Sequence, residues 1–449
     1  MGLELRTFGH ATLAVGQKDG EAAGAAPVLI TDPWLLGSCY WRSWWLSNPP
    51  TAAEIDWLAS ARYVFLTHEH PDHLHPPSLR RLKQVAPEGA LQILTPDFPS
   101  MQMDAYLTEQ GFAVRRVPPS EWAQLEGGVQ IMSLPVVGND SILLIDTPGA
   151  LIINQNDAKP GARALTRLGA MTKRLAKPKV VLRSHSPAGP GHAYFRNGER
   201  LSVFERGGPA RSARSNALAF GADFFVPFAS QAVFLRRESM WANDFRIDYK
   251  GLQDFWRRAR PALLPPYVTL DLETFDWSAP PQQPDLPTPA PAAAARIEEM
   301  RERDQNERLS DQDLDRLRDI LGQERLAIAA ILPRGLVFAA GSERLRYDAK
   351  TGRLTRLPSG ETPEAPAVVS APAAAFRDAI QYGHIADLFI SMLLEIHLDG
   401  RTSHRRIELL YRILTLRDYG YAGDVRRLRH LFWAWRRTSR PPPAPPALS

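Results

Sequence analysis

The stretch His68-Glu69-His70-Pro71-Asp72-His73 places three of the chain's eleven histidines within six residues. An apolar run over residues 62–67 precedes it and is typical of a buried strand, so the cluster begins where that strand ends. Side chains two residues apart on an extended chain point the same way, so His68 and His70 can converge on one metal ion. The spacing therefore predicts a metal site at a strand end.

The second half of the stretch favours a mixed carboxylate and imidazole pair. Pro71 ends the strand and disfavours a helix, and the loop after it can turn Asp72 and His73 back toward a second ion. The helical zinc motif His-Glu-x-x-His is excluded, because its second histidine would fall at Asp72. We therefore predict one or two divalent ions, with zinc as the expected metal and iron or manganese as the alternatives.

Length and composition set the expected class of protein. A chain of 449 residues exceeds what one hydrophobic core usually supports, so we expect more than one core. The hydrophobic content is 44%, no apolar run reaches ~18 residues, and the first residues lack a secretory pattern, which together predict a cytoplasmic protein without a membrane span. The single cysteine, Cys39, excludes an internal disulfide and a zinc site built from several thiolates.

The charge balance indicates which partners to expect. The net charge is +5 and is carried mainly by arginine, a residue that binds phosphate groups in a bidentate manner. This permits a small-molecule substrate that bears a phosphate or a nucleotide. The arginines are scattered and no nucleic-acid-binding motif is present, so we expect no nucleic-acid partner.

The sequence divides into four parts that differ in composition and pattern. Residues 1–277 alternate short apolar runs with Gly, Pro and Asp, which indicates strands with interspersed helices. Residues 278–296 form a Pro- and Ala-rich linker. Residues 297–440 are predicted to be mainly helical, with a small β-meander over 335–357, and the Pro-rich tail over 441–449 is predicted to be disordered.

The pattern His-x-His-x-Asp-His at 68–73 resembles the ligand motif of the metallo-β-lactamase superfamily. More narrowly, the Asp-Pro-Trp at 32–34 and the Trp-rich segment up to residue 50 resemble the catalytic part of CMP-N-acetylneuraminate hydroxylases. Asp157, which follows the strand-like run 151–156, resembles the superfamily's metal-bridging aspartate. The resemblance implies an α/β (α+β) fold, a four-layer αβ/βα sandwich with the metal site along its upper edge, to which a mainly helical C-terminal addition is joined.

The chain departs from that superfamily at two ligand positions. A third histidine is expected near residues 135–141 and a last one near 227–229, and neither segment contains a histidine. Either one ion is bound weakly or not at all, or another residue replaces a missing ligand. The residues available for that role are Asp140, His185 and His192. His10 is interpreted as structural rather than catalytic, although its Gly-His-Ala segment resembles the opening of other branches of the superfamily and that resemblance leaves a ligand contact open.

Three functions are compatible with this ligand set. In a metal-dependent hydrolase, the ion activates a water molecule, and Asp72 serves as ligand, proton acceptor or both. In a non-haem diiron hydroxylase, iron takes the same ligands. The animal hydroxylases carry a Rieske centre that needs two cysteines; because this chain has one, it would require an external redox partner. The third possible function is that of a metal-depleted protein that acts in binding or assembly.

Overall fold

The computed structural model describes most of the chain. The described residues are 2–18, 26–87, 89–186, 193–203, 205, 207–256, 260–280, 291–358, 364–439 and 443–446. The strands are β1 (Leu3–Phe8), β2 (Thr12–Gln17), β3 (Pro27–Thr31), β4 (Ser38–Cys39), β5 (Trp44–Leu46), β6 (Tyr63–Phe65), β7 (Gln92–Pro96), β8 (Ala113–Val117), β9 (Ala123–Gln124), β10 (Gln130–Val136), β11 (Asp140–Asp146), β12 (Leu151–Asn156), β13 (Lys179–Arg183), β14 (Ala193–Arg196), β15 (Glu199–Arg200), β16 (Phe224–Pro227), β17 (Ala232–Phe234), β18 (Ala262–Leu263), β19 (Thr269–Asp271), β20 (Trp277–Ser278), β21 (Leu336–Ala340), β22 (Glu343–Asp348), β23 (Arg353–Arg356), β24 (Ala367–Ala371) and β25 (Glu395–Leu398). The helices are α1 (Ala52–Ala59), α2 (Pro76–Val85), α3 (Gln102–Glu109), α4 (Ala162–Arg174), α5 (Gly208–Phe220), α6 (Tyr249–Phe255), α7 (Pro291–Asn306), α8 (Asp311–Gln323), α9 (Arg325–Ile331), α10 (Ala373–Tyr382), α11 (Ile385–Ile390), α12 (His404–Asp418) and α13 (Asp424–Ser439), with a 3₁₀ helix at Met240–Phe245.

Two mixed sheets pack face to face at the centre of the first part of the chain. Their strand orders are β20-β19-β1-β2-β3-β6-β7-β8 and β18-β16-β13-β12-β11-β10-β9. Successive side chains of a strand point to opposite faces of its sheet. Leu29 of β3 and Ile152 of β12 therefore enter the core between the sheets, whereas Ile30 and Ile153 face outward.

Helices cover the two outer faces. α1, α2 and α3 pack on the first sheet through Leu58, Leu82 and Leu107. On the second sheet, α4 and α5 pack through Leu168 and Phe220. The order of layers is helix, sheet, sheet, helix, so the predicted α/β sandwich is confirmed.

The helical C-terminal region is also present, and it is built around a third sheet. Seven helices, α7 to α13, follow residue 290 in the described part of the chain, together with strands β21 to β25. The third sheet has the order β15-β14-β25-β24-β21-β22-β23. Its strands β14 and β15 come from residues 193–200, so the first part of the chain contributes an edge to the C-terminal sheet.

The predicted linker and tail fall partly outside the described residues. α7 begins at Pro291, and residues 281–290 are not described, so the division of the chain into two domains at 278–296 stays a prediction. In the predicted tail, residues 443–446 are described. Trp122 and Gln130 donate hydrogen bonds to the carbonyls of Pro443 and Pro446 over 3.1 and 2.9 Å. In the described ranges, no helix is long and apolar enough to cross a bilayer.

Candidate metal centre

The histidine loop emerges at one edge of the first sheet. β3 and β6 run parallel with Thr31 opposite Phe65, so the residues after both strands leave the sheet side by side. Asp32, after β3, therefore lies beside Thr67, after β6. The backbone N–H and the hydroxyl of Thr67 donate to the two carboxylate oxygens of Asp32 over 2.7 and 2.8 Å. These bonds fix the backbone from which His68 projects.

Asp157 reaches the same edge from the second sheet. β12 ends at Asn156, whose φ of 46° is in the left-handed region that asparagine tolerates better than most residues. The Asn156 side-chain oxygen accepts hydrogen bonds from the N–H groups of Asp157 and Ala158 over 2.6 and 3.0 Å, and its amide donates to the Ser141 carbonyl over 2.9 Å. This turn holds Asp157 opposite the histidine loop.

His68, His73 and Asp157 form the first group with ligand geometry, since their ligand atoms all lie within 4.8 Å of one another. Asp157 Oδ1 is 3.6 Å from His73 Nε2 and 3.9 Å from His68 Nε2. The other nitrogen of each ring has an acceptor: Nδ1 of His73 is 3.1 Å from an Asp32 oxygen, and Nδ1 of His68 is 3.1 Å from the Thr67 hydroxyl. Because the Thr67 proton goes to Asp32, both Nδ1 atoms carry the ring proton, and each Nε2 keeps its lone pair for an ion.

His10, Asp72 and His73 form a second group of the same kind. Asp72 Oδ2 lies 3.3 Å from His10 Nε2 and 3.6 Å from His73 Nε2. The sequence interpretation favoured a structural role for His10 and left a ligand contact open, and the structure places this side chain against Asp72. Gly9, with a φ of 52°, makes the tight turn between β1 and β2 that carries His10 to the edge of the sheet. A Gly-His pair between two strand-like runs was the available signal.

His70 and Asp72 each have a tyrosine partner. His70 Nδ1 lies 2.8 Å from His68 Nε2, and the Tyr419 hydroxyl lies 2.6 Å from His70 Nε2. The Tyr40 hydroxyl donates to Asp72 Oδ1 over 2.7 Å. Four of the five residues predicted as ligands, His68, Asp72, His73 and Asp157, belong to these two groups, and the fifth, His70, lies against His68.

The two additional candidates behave differently. Asp140 Oδ1 is 3.5 Å from His68 Nδ1, and burial together with the charge of Asp157 raises the pKa of Asp140 well above its usual range. His185 has its Nε2 3.1 Å from the Ile247 carbonyl, and neither His185 nor Asp140 belongs to either three-residue group among the described residues. Burial lowers the pKa of His185 to about 4. Asp140 therefore lies at the site and His185 lies beside it, while His192 falls outside the described residues.

Charge at the centre is dominated by carboxylates. Burial acts to lower the pKa of His73, but Asp32, Asp72 and Asp157 outweigh it and raise that pKa to about 10. Burial acts to raise the pKa of Asp72, but His73 and His10 lower it well below its usual range. The same carboxylates would stabilise a metal cation at this position.

Unpaired atoms at the centre test whether a metal ion fits. His10 Nε2, His73 Nε2 and Asp157 Oδ1 are buried and have no hydrogen-bond partner among the described residues. Buried polar atoms in folded proteins nearly always have one. Imidazole nitrogens and carboxylate oxygens are the donors that divalent zinc, iron and manganese accept. The donor set present therefore fits a divalent metal ion.

Tryptophan side chains pack beside this centre. Trp34 and Trp44 are fully buried, with ring centroids 5.5 and 6.1 Å from that of His10. Trp44 also lies against Tyr40, with a centroid separation of 4.9 Å. The Trp-rich segment is thus an apolar wall that keeps water away from one side of the ligands.

Residues 29–154 match a family model described as the β-lactamase superfamily domain. This part of the chain is therefore similar to the β-lactamase superfamily domain. The matched range contains the whole histidine loop and ends just before Asp157.

Curated relatives of this domain bear the name cytidine monophosphate-N-acetylneuraminic acid hydroxylase. The protein from Asterias rubens is 31% identical over 138 residues, which are 29% of this chain and 20% of that protein. The protein from Cricetulus griseus is 27% identical over 153 residues, 32% of this chain and 26% of that protein. The chain therefore spans only about a quarter of the length of these relatives.

Solved structures with a related arrangement are more distant. Igni18, described as a novel metallo hydrolase from the archaeon Ignicoccus hospitalis, is 16% identical with a TM-score of 0.39, covering 60% of this chain and 98% of that one. A mutant of the β-hydroxylase CmlA is 18% identical with a TM-score of 0.36, covering 51% of this chain and 46% of that one. Likenesses at this level carry no functional argument.

Proposed function

We propose that this protein is a metal-dependent hydrolase that acts on a phosphorylated or nucleotide-linked small molecule. The observation that carries the proposal is the convergence of His73 Nε2 and Asp157 Oδ1, two buried and unpaired atoms 3.6 Å apart, next to His68. A divalent ion held there would supply an activated water molecule at neutral pH and would polarise the bond under attack.

The chain's own residues would serve that reaction in distinct ways. Asp32 and Thr67 orient the rings of His73 and His68, so neither ring has to reorganise when the ion binds. Asp72 is held ionised, and its Oδ2 faces both His10 and His73 within 3.6 Å. It can therefore ligate an ion, accept the proton released from water, or both.

An arginine beside the centre supports an anionic substrate. Arg183 ends β13, the strand next to β12, and the residue is 7% exposed. Arg183 donates to the Ser212 hydroxyl over 3.1 Å, while its Nε has no partner among the described residues. Burial lowers the pKa of this guanidinium to about 10, against the opposing effect of Asp157. A buried cation with a spare donor suits a phosphate oxygen.

A second candidate is a non-haem diiron hydroxylase served by a separate redox partner. It is favoured by the name of the curated relatives and by the three carboxylates, Asp72, Asp140 and Asp157, which suit iron as well as zinc. Hydrolysis is preferred because water activation needs only the groups present at the site, whereas oxygenation needs an added source of electrons.

Metal analysis and turnover test the proposal together. Protein purified without added metal should contain at least one zinc or manganese ion per chain and should hydrolyse a nitrophenyl phosphate ester, a nitrophenyl phosphodiester or a lactone. His73→Ala should lose both the metal and the activity. His397→Ala is the matched control, because that side chain is 47% exposed and stacks on Phe195 in the third sheet.

Other outcomes separate the alternatives. Two irons per chain with reductant-dependent oxygen uptake would establish the hydroxylase instead. Protein that binds no metal when supplied with zinc, iron or manganese would leave only a role in binding or assembly. Equal metal content in His73→Ala and the wild type would refute the ligand assignment.

A further inference from the structure

The three histidines of the loop are oriented by different parts of the protein. For His68 and His73, the ring nitrogen turned away from the centre is held by Thr67 and Asp32, which follow neighbouring strands of the first sheet. For His70, the corresponding contact comes from Tyr419, which lies 349 positions further along the chain. The C-terminal region therefore touches the metal centre directly.

The orientation of His70 is opposite to that of the other two rings. His70 Nδ1 lies 2.8 Å from His68 Nε2, which is a candidate ligand atom. His70 Nε2 lies 2.6 Å from the Tyr419 oxygen. That oxygen occupies the place that an ion would need on Nε2, so His70 can offer only Nδ1. For Nδ1 to hold a lone pair, the ring proton must be on Nε2, where the Tyr419 oxygen accepts it.

Tyr419 is itself held in place from several sides. It follows the last turn of α12, its N–H donates to the Thr415 carbonyl over 3.0 Å, and its side chain is buried. The preceding Asp418 accepts the N–H of Ala386 in α11 over 2.7 Å. The ring centroids of His70 and Tyr419 are 5.9 Å apart and tilted by 44°, so the hydroxyl makes the contact and the ring face does not.

We propose that Tyr419 is a positioning residue of the metal centre, which fixes the tautomer of His70 so that Nδ1 faces the ion. This inference rests on the proposed function only to the extent that the loop binds a metal ion, since it makes no demand on the reaction. It also implies that the C-terminal region is required for a complete metal centre and does not merely adjoin the sandwich.

Tyr419→Phe tests the proposal, because it keeps the ring and removes only the hydroxyl. The probe is Zn²⁺ alone, added to metal-free protein in competition with a chromophoric chelator. Loss of a partner that orients a ligand typically weakens metal binding by about 10–100-fold, and we expect a change of that size. Tyr347→Phe is the matched control: its hydroxyl is fully buried and donates to the Leu321 carbonyl over 3.1 Å, within the C-terminal region. It should leave zinc affinity unchanged.

A second measurement keeps the proposal testable if Tyr419→Phe folds poorly. In the zinc-bound wild type labelled with ¹⁵N-histidine, His70, assigned by comparison with a His70→Gln sample, should show a protonated Nε2 and a metal-bound Nδ1. Metal bound through Nε2 would overturn the proposal, as would Tyr419→Phe with wild-type zinc affinity. If the wild type binds zinc but hydrolyses none of the test esters, the hydrolase proposal fails and this one stands. If the wild type binds no zinc, iron or manganese, both fail.

Discussion

At the scale of single residues, Asp32 has as much influence on the candidate centre as any ligand. Its Oδ1 accepts from the N–H of Thr67, its Oδ2 accepts from the Thr67 hydroxyl and lies 3.1 Å from His73 Nδ1, and its side chain is fully buried. All of these neighbours act as donors toward it. A carboxylate satisfies them together, whereas an amide would place its own N–H₂ against one of them.

We therefore expect Asp32→Asn to bind Zn²⁺ about 10–100-fold more weakly than the wild type, because His73 would lose the acceptor that keeps Nε2 free. Chelator competition measures this. Asp56→Asn is the control, since Asp56 is 53% exposed and pairs with Arg81 on the surface. An Asp32→Asn variant with unchanged zinc affinity would show that His73 is oriented by other contacts.

How far the sequence predicts the centre depends on which contacts are local. The five candidate ligands were predicted from their spacing within one loop and from the resemblance that placed Asp157. A structural role was favoured for His10 and a ligand contact was left open, because its approach to Asp72 depends on the left-handed turn at Gly9. Tyr419 was not identified, since its contact with His70 spans 349 positions and follows only from the packing of α12.

At the scale of secondary-structure elements, α4 and α5 cross closely enough to exclude any side chain at Gly169. A Cβ built there would lie 2.3 Å from the carbonyl oxygen of Ala219, which belongs to α5. Backbone cannot yield as a flexible side chain does, so the helices would have to separate. Gly322, in α8, is the opposite case, because a Cβ there would meet nothing within 4 Å.

Gly169→Ala should therefore lower the free energy of unfolding by about 1–3 kcal/mol, although alanine is the better helix former. Gly322→Ala should raise it by up to about 1 kcal/mol, because only helix propensity changes. Urea unfolding followed by circular dichroism gives both values. If the two substitutions shift the midpoint of urea unfolding in the same direction, α4 and α5 do not cross as closely as described.

Elements of the sandwich could be predicted because their patterns are local. The alternation of short apolar runs with Gly, Pro and Asp over residues 1–277 predicted strands with interspersed helices, and both are present there. Of the third sheet, the sequence predicted only the β-meander over 335–357. β14 has four residues and pairs with β25, some 200 positions away, so neither its length nor its neighbours mark it as part of a sheet.

At the scale of the whole molecule, the C-terminal region and the sandwich are joined at the segment that carries Tyr40. The Ser43 hydroxyl and the Trp44 indole N–H both donate to the Ser391 carbonyl, over 2.6 and 3.2 Å. Three successive residues, 40–42, have φ between 51° and 64°, a strained conformation for side-chain-bearing residues. Contacts from the C-terminal region are therefore needed to hold this segment against Asp72.

Arg236 is the central charged contact of that junction. It is 2% exposed, donates to the Trp41 carbonyl over 3.1 Å and pairs with Asp304 of α7 over 2.6 Å. Burial raises the pKa of Asp304, and Arg236 opposes that effect. Removing Arg236 would leave the Asp304 carboxylate without its counter-ion at a position that little solvent reaches. It would also remove the hydrogen bond that holds the Trp41 carbonyl, next to Tyr40.

Arg236→Ala should therefore lower the free energy of unfolding by about 3 kcal/mol, the lower end of the range for breaking a buried ion pair, because Asp304 keeps 14% exposure. It should also weaken zinc binding, since Tyr40 would lose its support against Asp72. Arg81→Ala, which removes an ion pair whose side chains are 41% and 53% exposed, should cost at most about 1 kcal/mol and leave zinc binding intact. Stability lost without any change in zinc affinity would mean that the junction supports the fold but not the metal centre.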